Sequence, residues 1–443
     1  MPPLSVGIAQ IDYTPNIGLP LMGNFRDDYA ARGVHDPLYA RAIVFADAAN
    51  TKAAILSLDI CMLDRHNVAL MRNFIAARSD IPPDHVLIAA THTHSAPAPF
   101  KLGSLPQTDQ HEVKAFLEKA AAAVLHADAD RKPAQIGIGQ CTETRLAFNR
   151  RLRCKDGNTH VNWEQLDPDF VVEPLGPTDP QLTVLSVLRD DRPQAAIVNF
   201  GLHPAILAGD NWLYSADYPG YLAQAMARLF GPDFVTLFLN GCCGNVNHLD
   251  YADPTQGRGY QMTQRVGYML AVAAHQAIET RRPLSDGPLA VATRRVPLER
   301  IPIDEQQRRW CESVIEDAAK NPTKGQVDGL PDEYYAHARL AMYHAQNAPD
   351  EVEVMAIRIG SLAIVGLPGE IFCEFGLNLK ENSPAEHTIV LELANDAIGY
   401  IPTQQAFEQG GYESTTGTTR YKKGAGDKLV AAAKAQLDYL FPK

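Results

Sequence analysis

The sequence lacks the features that mark several large classes of protein. No apolar run approaches the roughly 18 residues that a bilayer-spanning helix needs, so we expect no membrane span. The net charge is −12 and no basic patch stands out, which argues against a nucleic-acid partner. The first residues contain neither the basic nor the apolar region of a secretion signal, so we expect a cytoplasmic protein.

Cysteine is present, but in neither a disulfide nor a zinc-finger pattern. The seven cysteines have no repeating spacing, and no C-x2-C pair occurs. A chain of 443 residues can bury roughly 75% of its unfolded surface without disulfide support. We therefore expect reduced thiols. Cys242 or Cys243 acting with His248 leaves a cysteine hydrolase open as an alternative.

Short apolar strands alternate with amphipathic helices along most of the chain. A strand over 53–58, a helix over 65–78 with Asp64 as its N-cap, and a strand over 84–90 give a β-α-β order. This order favours the α/β class. Residues 127–180 are expected to be irregular, with strand character only near 136–141. We find no internal repeat or linker and expect one domain over residues 1–443.

Two histidines lie where the strand over 84–90 ends. Residues i and i+2 of an extended backbone point to the same side, so His92 and His94 should project into one cavity. Pro97 prevents regular strand pairing from continuing. Two imidazoles suit a divalent metal, or one ligand beside an acid/base group. A hydrogen-bonded pair without a metal would explain the spacing equally well.

Three other residues that can bind a metal also follow short apolar strands, namely His203, Glu370 and Tyr400. In sheets with helical crossovers, strand ends gather at one rim, where ligands bind. The sequence therefore predicts that these side chains converge with His92, although strand ends favour polar groups in any protein. Three arginines within residues 150–153 are typical of a solvated surface, and one of them in a cavity would bind a carbonyl or an anion.

In their order along the chain, these segments resemble the neutral (non-lysosomal) ceramidase family, specifically its N-terminal catalytic domain. The matching segments cover most of the chain: Thr91-His92-Thr93-His94-Ser95, His203-Pro204, Ser215 to Gly220, Asn240 to Asn247, Pro368-Gly369-Glu370, Gly399-Tyr400 and Tyr412-Glu413. The resemblance implies a mixed α/β fold in which helices cover central β-sheets.

The resemblance also implies one catalytic Zn²⁺, which His92, His203, Glu370 and Tyr400 would bind. Such a set leaves a coordination position for water, whose pKa falls to about 7 on zinc. A phenolate ligand such as Tyr400 needs the cation nearby to lower its pKa.

The same resemblance implies three residues that bind the scissile amide or move a proton. His94 and Tyr412 match two of them. An arginine has the third role, for which Arg150 is the best match and Arg145 is the alternative in a gapped alignment.

One segment departs from the family pattern. Where the ceramidases carry a G-D-x-S-P-type segment, this chain has Asn245 and Asn247 in place of the acid and the serine. An amide can hold a substrate but cannot act as a nucleophile, so we predict that both asparagines bind substrate. We also expect the C-terminal immunoglobulin-like domain of the family to be absent, and ceramide to be a doubtful substrate.

The sequence therefore predicts a zinc-dependent hydrolase that cleaves a carbonyl bond, preferably an amide, in a small soluble molecule. One alternative is a lyase, an isomerase, or an ester, lactone or glycoside hydrolase that uses the same site. Another is a non-catalytic zinc-containing binding protein, although structural zinc sites are usually rich in cysteine. The sequence leaves a homo-oligomer open.

Overall fold

Three central β-sheets with helices on their outer faces make up the protein. The computed structural model describes residues 4–26, 28–103, 105–253, 255–284, 287–320, 330–346 and 350–442. Each sheet has four long strands, and two of the sheets add a short strand at one edge. The predicted fold class, mixed α/β with central sheets flanked by helices, is confirmed.

The three sheets share one topology, although the sequence shows no internal repeat. In each sheet three long strands pair antiparallel, and a fourth strand lies parallel to the third. The first sheet contains Ser5–Asp12, Tyr39–Ala46, Lys52–Leu58 and Val86–Ala90. The second contains Gln135–Thr142, Gln181–Arg189, Arg192–Phe200 and Val235–Asn240. The third contains Leu289–Leu298, Asp350–Ile359, Leu362–Gly366 and His387–Leu391.

The helices follow the same plan in each sheet. A parallel strand pair needs a crossover connection, and the three crossovers contain Arg65–Ala76, Asp217–Phe230 and Cys373–Glu381. A longer helix follows each fourth strand: Gln110–Ala129, Gly259–Glu279 and Ala425–Leu440. The described residues also form helices at Glu305–Ala318, Asp332–Ala345 and Gln404–Gln409. Asp64 caps the first helix as predicted, because its side chain accepts a hydrogen bond from the Asn67 amide at 2.9 Å.

The inner faces of the three sheets meet in one apolar core. This core takes residues from every sheet, including Ile43, Leu87, Ile197, Leu237 and Ile357. Three further cores lie between the outer faces of the sheets and their covering helices. Strands buried on both faces read as continuous apolar runs, and all seven residues of Lys52–Leu58 are buried.

One expectation about secondary structure was wrong, and one long strand was missed. The stretch 127–180 holds a three-stranded sheet of Arg151–Cys154, Thr159–Val161 and Val171–Pro174. The long strand Leu289–Leu298 was not predicted, because arginines and a proline interrupt its apolar pattern and its middle is exposed. Both elements obtain their strand geometry from tertiary neighbours more than from local sequence.

Two-residue β-ladders join loop segments outside the three central sheets. They pair Gly33–Val34 with Leu213–Tyr214, Phe148–Asn149 with Val246–Asn247, and Glu370–Ile371 with Tyr400–Ile401. The edge strands Lys132–Pro133 and Arg282–Pro283 complete the first and second sheets. These ladders join segments that are far apart in the sequence, and the last one places Glu370 directly beside Tyr400.

Candidate metal centre

His92, His203 and Glu370 converge on one point above the shared core. The Nε2 atoms of the two histidines are 2.9 Å apart. The Oε2 atom of Glu370 lies 3.5 Å from His92 Nε2 and 3.4 Å from His203 Nε2. All three side chains are buried. The structure therefore brings together three of the four residues that the resemblance implies as zinc ligands, and each could offer one atom to a shared ion.

Each of these residues follows a strand of a different sheet. His92 comes two residues after Val86–Ala90, His203 three residues after Arg192–Phe200, and Glu370 four residues after Leu362–Gly366. The strand ends gather at one rim, as expected for sheets with helical crossovers. The geometric reason given for the H-x-H pair was wrong, however. His92 is not extended but left-handed, with φ 75°, and its Nε2 atom still lies 3.3 Å from that of His94.

The other ring nitrogen of each ligand histidine is bound to a backbone carbonyl. His92 Nδ1 lies 2.7 Å from the Cys61 oxygen, and His203 Nδ1 lies 3.1 Å from the Cys243 oxygen. A carbonyl only accepts hydrogen bonds, so each Nδ1 carries a hydrogen and Nε2 is the atom that each ring can offer to a cation. Two such nitrogens and a carboxylate that face one another at this distance fit a divalent cation.

The electrostatics differ among the three side chains of the metal-free cluster. Burial, and then the charges of His92 and Arg150, lower the pKa of His203 to about 4. Burial would raise the pKa of Glu370, but hydrogen bonds and charges from His203 and His92 hold it well below its usual value. Burial would lower the pKa of His92, but its interactions with Cys61 and Glu370 raise it well above its usual value. At neutral pH the metal-free cluster therefore contains a neutral His203, an ionised Glu370 and a protonated His92, and a bound cation would take the place of that proton.

Tyr400 lies next to Glu370 because the strands that carry the two residues pair in register. The Glu370 amide donates to the Gly399 oxygen at 3.0 Å, and the Tyr400 hydroxyl is hydrogen-bonded to both Glu370 and Arg150. Burial and the Glu370 carboxylate raise the pKa of Tyr400 well above its ordinary value. A phenolate at this position therefore requires a cation beside it, which agrees with the predicted role of Tyr400 as a ligand.

Arg150 contacts Tyr400 but is not among the residues that line the cavity. Its Nε atom donates to Glu413 at 2.8 Å and its Nη2 atom to the Gly244 oxygen at 2.7 Å. The alternative candidate, Arg145, lies elsewhere: it pairs with Glu143 and its side chain is 68% exposed. Of the two arginines, only Arg150 reaches the cluster, where it contacts Tyr400.

Tyr412 and His94 do line the cavity. The ring of Tyr412 packs edge-on against those of Tyr400 and Trp163, with centroids 5.4 Å away in both cases. Burial raises the pKa of the Tyr412 hydroxyl, so it keeps its proton. The cavity has a volume of about 90 Å³. Its wall also contains apolar residues: Met22, Phe25, Met62, Leu102, Leu105 and Leu330.

The structure does not bring Asn245 and Asn247 to this cavity. The amide of Asn245 donates to Glu374 at 2.9 Å, and its oxygen accepts from the Cys373 amide. The amide of Asn247 exchanges hydrogen bonds with Asn162. Their side chains thus fix the loop in place, and the geometry gives no support to the prediction that they bind substrate.

The thiols of Cys242 and Cys243 do not form a nucleophilic centre. Burial and the charge of Glu392 raise the pKa of both thiols well above the ordinary value. The ring nitrogens of buried His248 have no hydrogen-bond partner among the described residues, so His248 does not activate either thiol. The cysteine-hydrolase alternative therefore has no geometric basis.

Glu392 was not predicted from the sequence, although it binds the backbone of two segments of the cluster. Its Oε2 atom accepts the backbone amides of Cys243 and Ile371 at 3.0 and 2.9 Å. These amides lie in the segments that carry the His203 acceptor and Glu370. The signal was available, because Glu392 is the first residue after the buried strand His387–Leu391.

A larger cavity lies away from these residues. It has a volume of about 880 Å³ and is lined by hairpin residues at the opposite ends of the sheets, including Ala48, Asp191 and Gly360. None of the predicted site residues reaches it. Chemistry therefore assigns the site to the small cavity. Across the described ranges, every helix is too short or too polar to span a bilayer.

Comparison with known proteins identifies the family of this chain. Residues 4–247 match the family described as "Neutral/alkaline non-lysosomal ceramidase, N-terminal". The neutral ceramidase of Pseudomonas aeruginosa is 24% identical over 95% of this chain and 69% of its own length. That of Mycobacterium tuberculosis is 23% identical over 93% of this chain and 73% of its own length.

A solved structure gives the same result for the fold. The crystal structure of the Pseudomonas aeruginosa neutral ceramidase superimposes with a TM-score of 0.74 at 20% identity and covers 100% of this chain and 74% of that chain. This likeness concerns the fold, whereas the match over residues 4–247 concerns the family. The chain belongs to the neutral/alkaline non-lysosomal ceramidase family and is a hydrolase.

Proposed function

We propose that this protein is a zinc-dependent amidase that hydrolyses the N-acyl bond of a ceramide-type substrate. The observation that carries the proposal is the convergence of His92, His203 and Glu370, with Tyr400 beside them, in an apolar-walled cavity. Neutral imidazoles and a carboxylate are ligands that Zn²⁺ prefers in catalytic sites.

The comparisons and the cavity wall agree on the substrate class. The relatives are neutral ceramidases, so they do not support the sequence-based doubt about ceramide. An apolar wall suits an acyl chain, and Phe25 extends it to the surface with 38% of its area exposed. The cavity of about 90 Å³ is smaller than the roughly 300–1,000 Å³ of a pocket that encloses a whole ligand. We therefore expect the amide group of the substrate to enter the cavity, while its hydrocarbon chains extend past Phe25.

The side chains around the cluster have separate tasks. A bound Zn²⁺ would supply Lewis acidity, which polarises a carbonyl and lowers the pKa of water to about 7. His94 faces the cluster through Nε2 and can accept a proton. Tyr412 keeps its proton and can donate to the carbonyl oxygen or to the leaving amine. Arg150 orients Tyr400.

Water is the nucleophile in this proposal. The segment from Gly244 to Asn247 offers no hydroxyl group, and both of its asparagine side chains are engaged in other hydrogen bonds. We therefore expect no acyl-enzyme intermediate on that segment, and hydrolysis in oxygen-18 water should place one labelled oxygen in the released fatty acid.

The proposal is tested by metal content and fatty-acid release in the same samples. Zinc-loaded protein is assayed with a short-chain ceramide and with the matching ester. His203→Ala and Glu370→Ala should lose the zinc and the amidase activity. His66→Ala, an exposed histidine on the helix Arg65–Ala76, should keep both. Full activity in zinc-free protein, or zinc retained by both cluster variants, would overturn the proposal.

A further inference from the structure

Residues 23–26, in the loop before the strand Tyr39–Ala46, contact His94. Gly23 lies flat against the imidazole, and a Cβ atom there would come within 2.4 Å of His94 Cγ. Its φ of 112° also favours glycine. Arg26 Nη2 donates to the His94 backbone oxygen at 2.9 Å. From the other side, the His94 amide donates to the Pro204 oxygen at 3.2 Å. The imidazole therefore has a fixed position.

Asn24 contacts the ring nitrogen that faces away from the cluster. Its Oδ1 atom lies 3.3 Å from His94 Nδ1, and its Nδ2 atom lies 3.1 Å from the Leu207 oxygen. The Leu207 carbonyl can only accept a hydrogen bond, so the NH₂ group of the amide must face it. The amide oxygen then faces His94, and only a hydrogen on Nδ1 completes that contact.

The Nδ1 hydrogens of His92, His203 and His94 are thus bound by two kinds of acceptor. His92 and His203 use backbone carbonyls, which no substitution can remove. His94 uses the side chain of Asn24. We propose that Asn24 is a positioning residue that keeps the hydrogen of His94 on Nδ1 and so leaves its Nε2 atom free to accept a proton beside the cluster.

The consequence for catalysis rests on the proposed function. If Nε2 carried the hydrogen instead, it would point toward His92 Nε2 at 3.3 Å and could not accept a proton. A variant without the Asn24 acceptor should populate that tautomer, because the Nδ1–H group would lose its partner. Groups that support active residues in this way typically contribute about 10–100-fold.

The tautomer is measured directly, without reference to activity. Nitrogen NMR of protein labelled at its histidines distinguishes protonated from bare ring nitrogens, and the His94 signals are assigned by their loss in His94→Gln. We expect Nδ1–H in the wild-type protein, with and without zinc, and Nε2–H or a mixture in Asn24→Leu. An Nε2–H tautomer in the wild type, or an unchanged tautomer in Asn24→Leu, would refute the proposal.

Two further variants separate the acceptor from a purely structural role. Asn24→Asp keeps an acceptor for Nδ1–H but loses the donor to Leu207, so it should retain the Nδ1–H tautomer and most of kcat. Asn24→Leu should lower kcat about 10–100-fold while KM and zinc content stay unchanged. Asn73→Leu makes the same change on an exposed helix face and should alter neither the tautomer of His94 nor kcat.

The outcomes distinguish this proposal from the proposed function. If Asn24→Asp loses the Nδ1–H tautomer of His94 and lowers kcat as much as Asn24→Leu does, then Asn24 only holds its loop through Leu207. The inference is wrong in that case. If the wild-type protein releases no fatty acid, the proposed function fails. The NMR result still decides the assignment of Asn24 in that case.

Discussion

The two sides of the cavity are held by different kinds of interaction. On the side of His92 and His203, the histidine side, ring N–H groups donate to uncharged backbone carbonyls. On the side of Arg150, the arginine side, Glu413 lies between the buried guanidinium groups of Arg150 and Arg151, at 2.8 and 2.7 Å. The comparison indicates that hydrogen bonds to the backbone orient the imidazoles, whereas a net positive charge stabilises any negative charge on Tyr400.

The carboxylates that support the two sides differ in the same way. Asp217 accepts the amides of Ile206 and Leu207, in the turn after His203, both at 3.1 Å. It forms no ion pair with a described residue, and burial raises its pKa to about 7. Burial would also raise the pKa of Glu413, but the charges of Arg150 and Arg151 outweigh it and keep this pKa below its usual value. Glu413 is therefore ionised at neutral pH, and Asp217 is close to its midpoint.

The largest effect is expected where charge is buried. Glu413→Gln preserves the shape of the side chain but leaves Arg150 and Arg151 without a counter-charge. Removing one partner of a buried ion pair typically costs about 3–5 kcal/mol. Urea denaturation of the metal-free variant should show a loss of this size in the free energy of unfolding.

The matched control is a glutamate in an exposed pair. Glu408 lies 3.6 Å from Lys423 and its side chain is 71% exposed. Glu408→Gln should change the free energy of unfolding by less than about 1 kcal/mol. Equal losses in the two variants would mean that the arginine side depends on packing and not on charge, and the comparison drawn above would be wrong.

A smaller effect is expected when the support of Tyr400 is removed. Arg150→Met keeps the length of the chain but deletes the hydrogen bond and the positive charge at the phenol. Zinc affinity or kcat should fall by about 10–100-fold, as for other groups that orient a metal ligand. Metal titration and fatty-acid release measure the two quantities separately.

Arg145→Met serves as the control, because Arg145 is exposed and pairs with Glu143 away from the cluster. It should leave zinc affinity and kcat unchanged. If Arg145→Met is as damaging as Arg150→Met, the assignment of the arginine is wrong. Unchanged zinc affinity and kcat in Arg150→Met would instead show that Tyr400 needs no positive charge beside it.

The sequence predicted the histidine side better than the arginine side, for a physical reason. His203 and Glu370 follow buried strands, and the ends of such strands converge in any sheet with helical crossovers. Arg151 begins a short strand and Glu413 lies in a single 3-10 turn, and these two segments meet only through tertiary contacts. Their pairing therefore left no local signal.

The threefold topology of the sheets also escaped detection. The periodicity of an apolar strand reports burial, not the partner strand, so unrelated sequences can form the same sheet. Asn24 was missed for a similar reason: it lies in a turn-rich loop, and its relevance comes from a contact with His94, 70 residues away. Residues that bind a metal were visible in the sequence, whereas residues that orient them were not.

The last prediction concerns the pH dependence of stability, which should differ between the two sides. Because the pKa of Asp217 is raised in the folded state to about 7, its contribution is present below the unfolded pKa near 4 and is lost as the pH rises toward 7. The free energy of unfolding should therefore fall by up to about 1.4 kcal/mol per pH unit across this range. Asp217→Asn should reduce that slope in metal-free protein, while Glu413→Gln, whose pKa shift has the opposite sign, should not. Part of the slope remains in Asp217→Asn, because burial also raises the pKa of Glu392 to about 7 and that of Asp36 to about 6. A slope as steep in Asp217→Asn as in the wild-type protein would show that Asp217 is permanently charged, and the two sides would then differ only in their counter-ions.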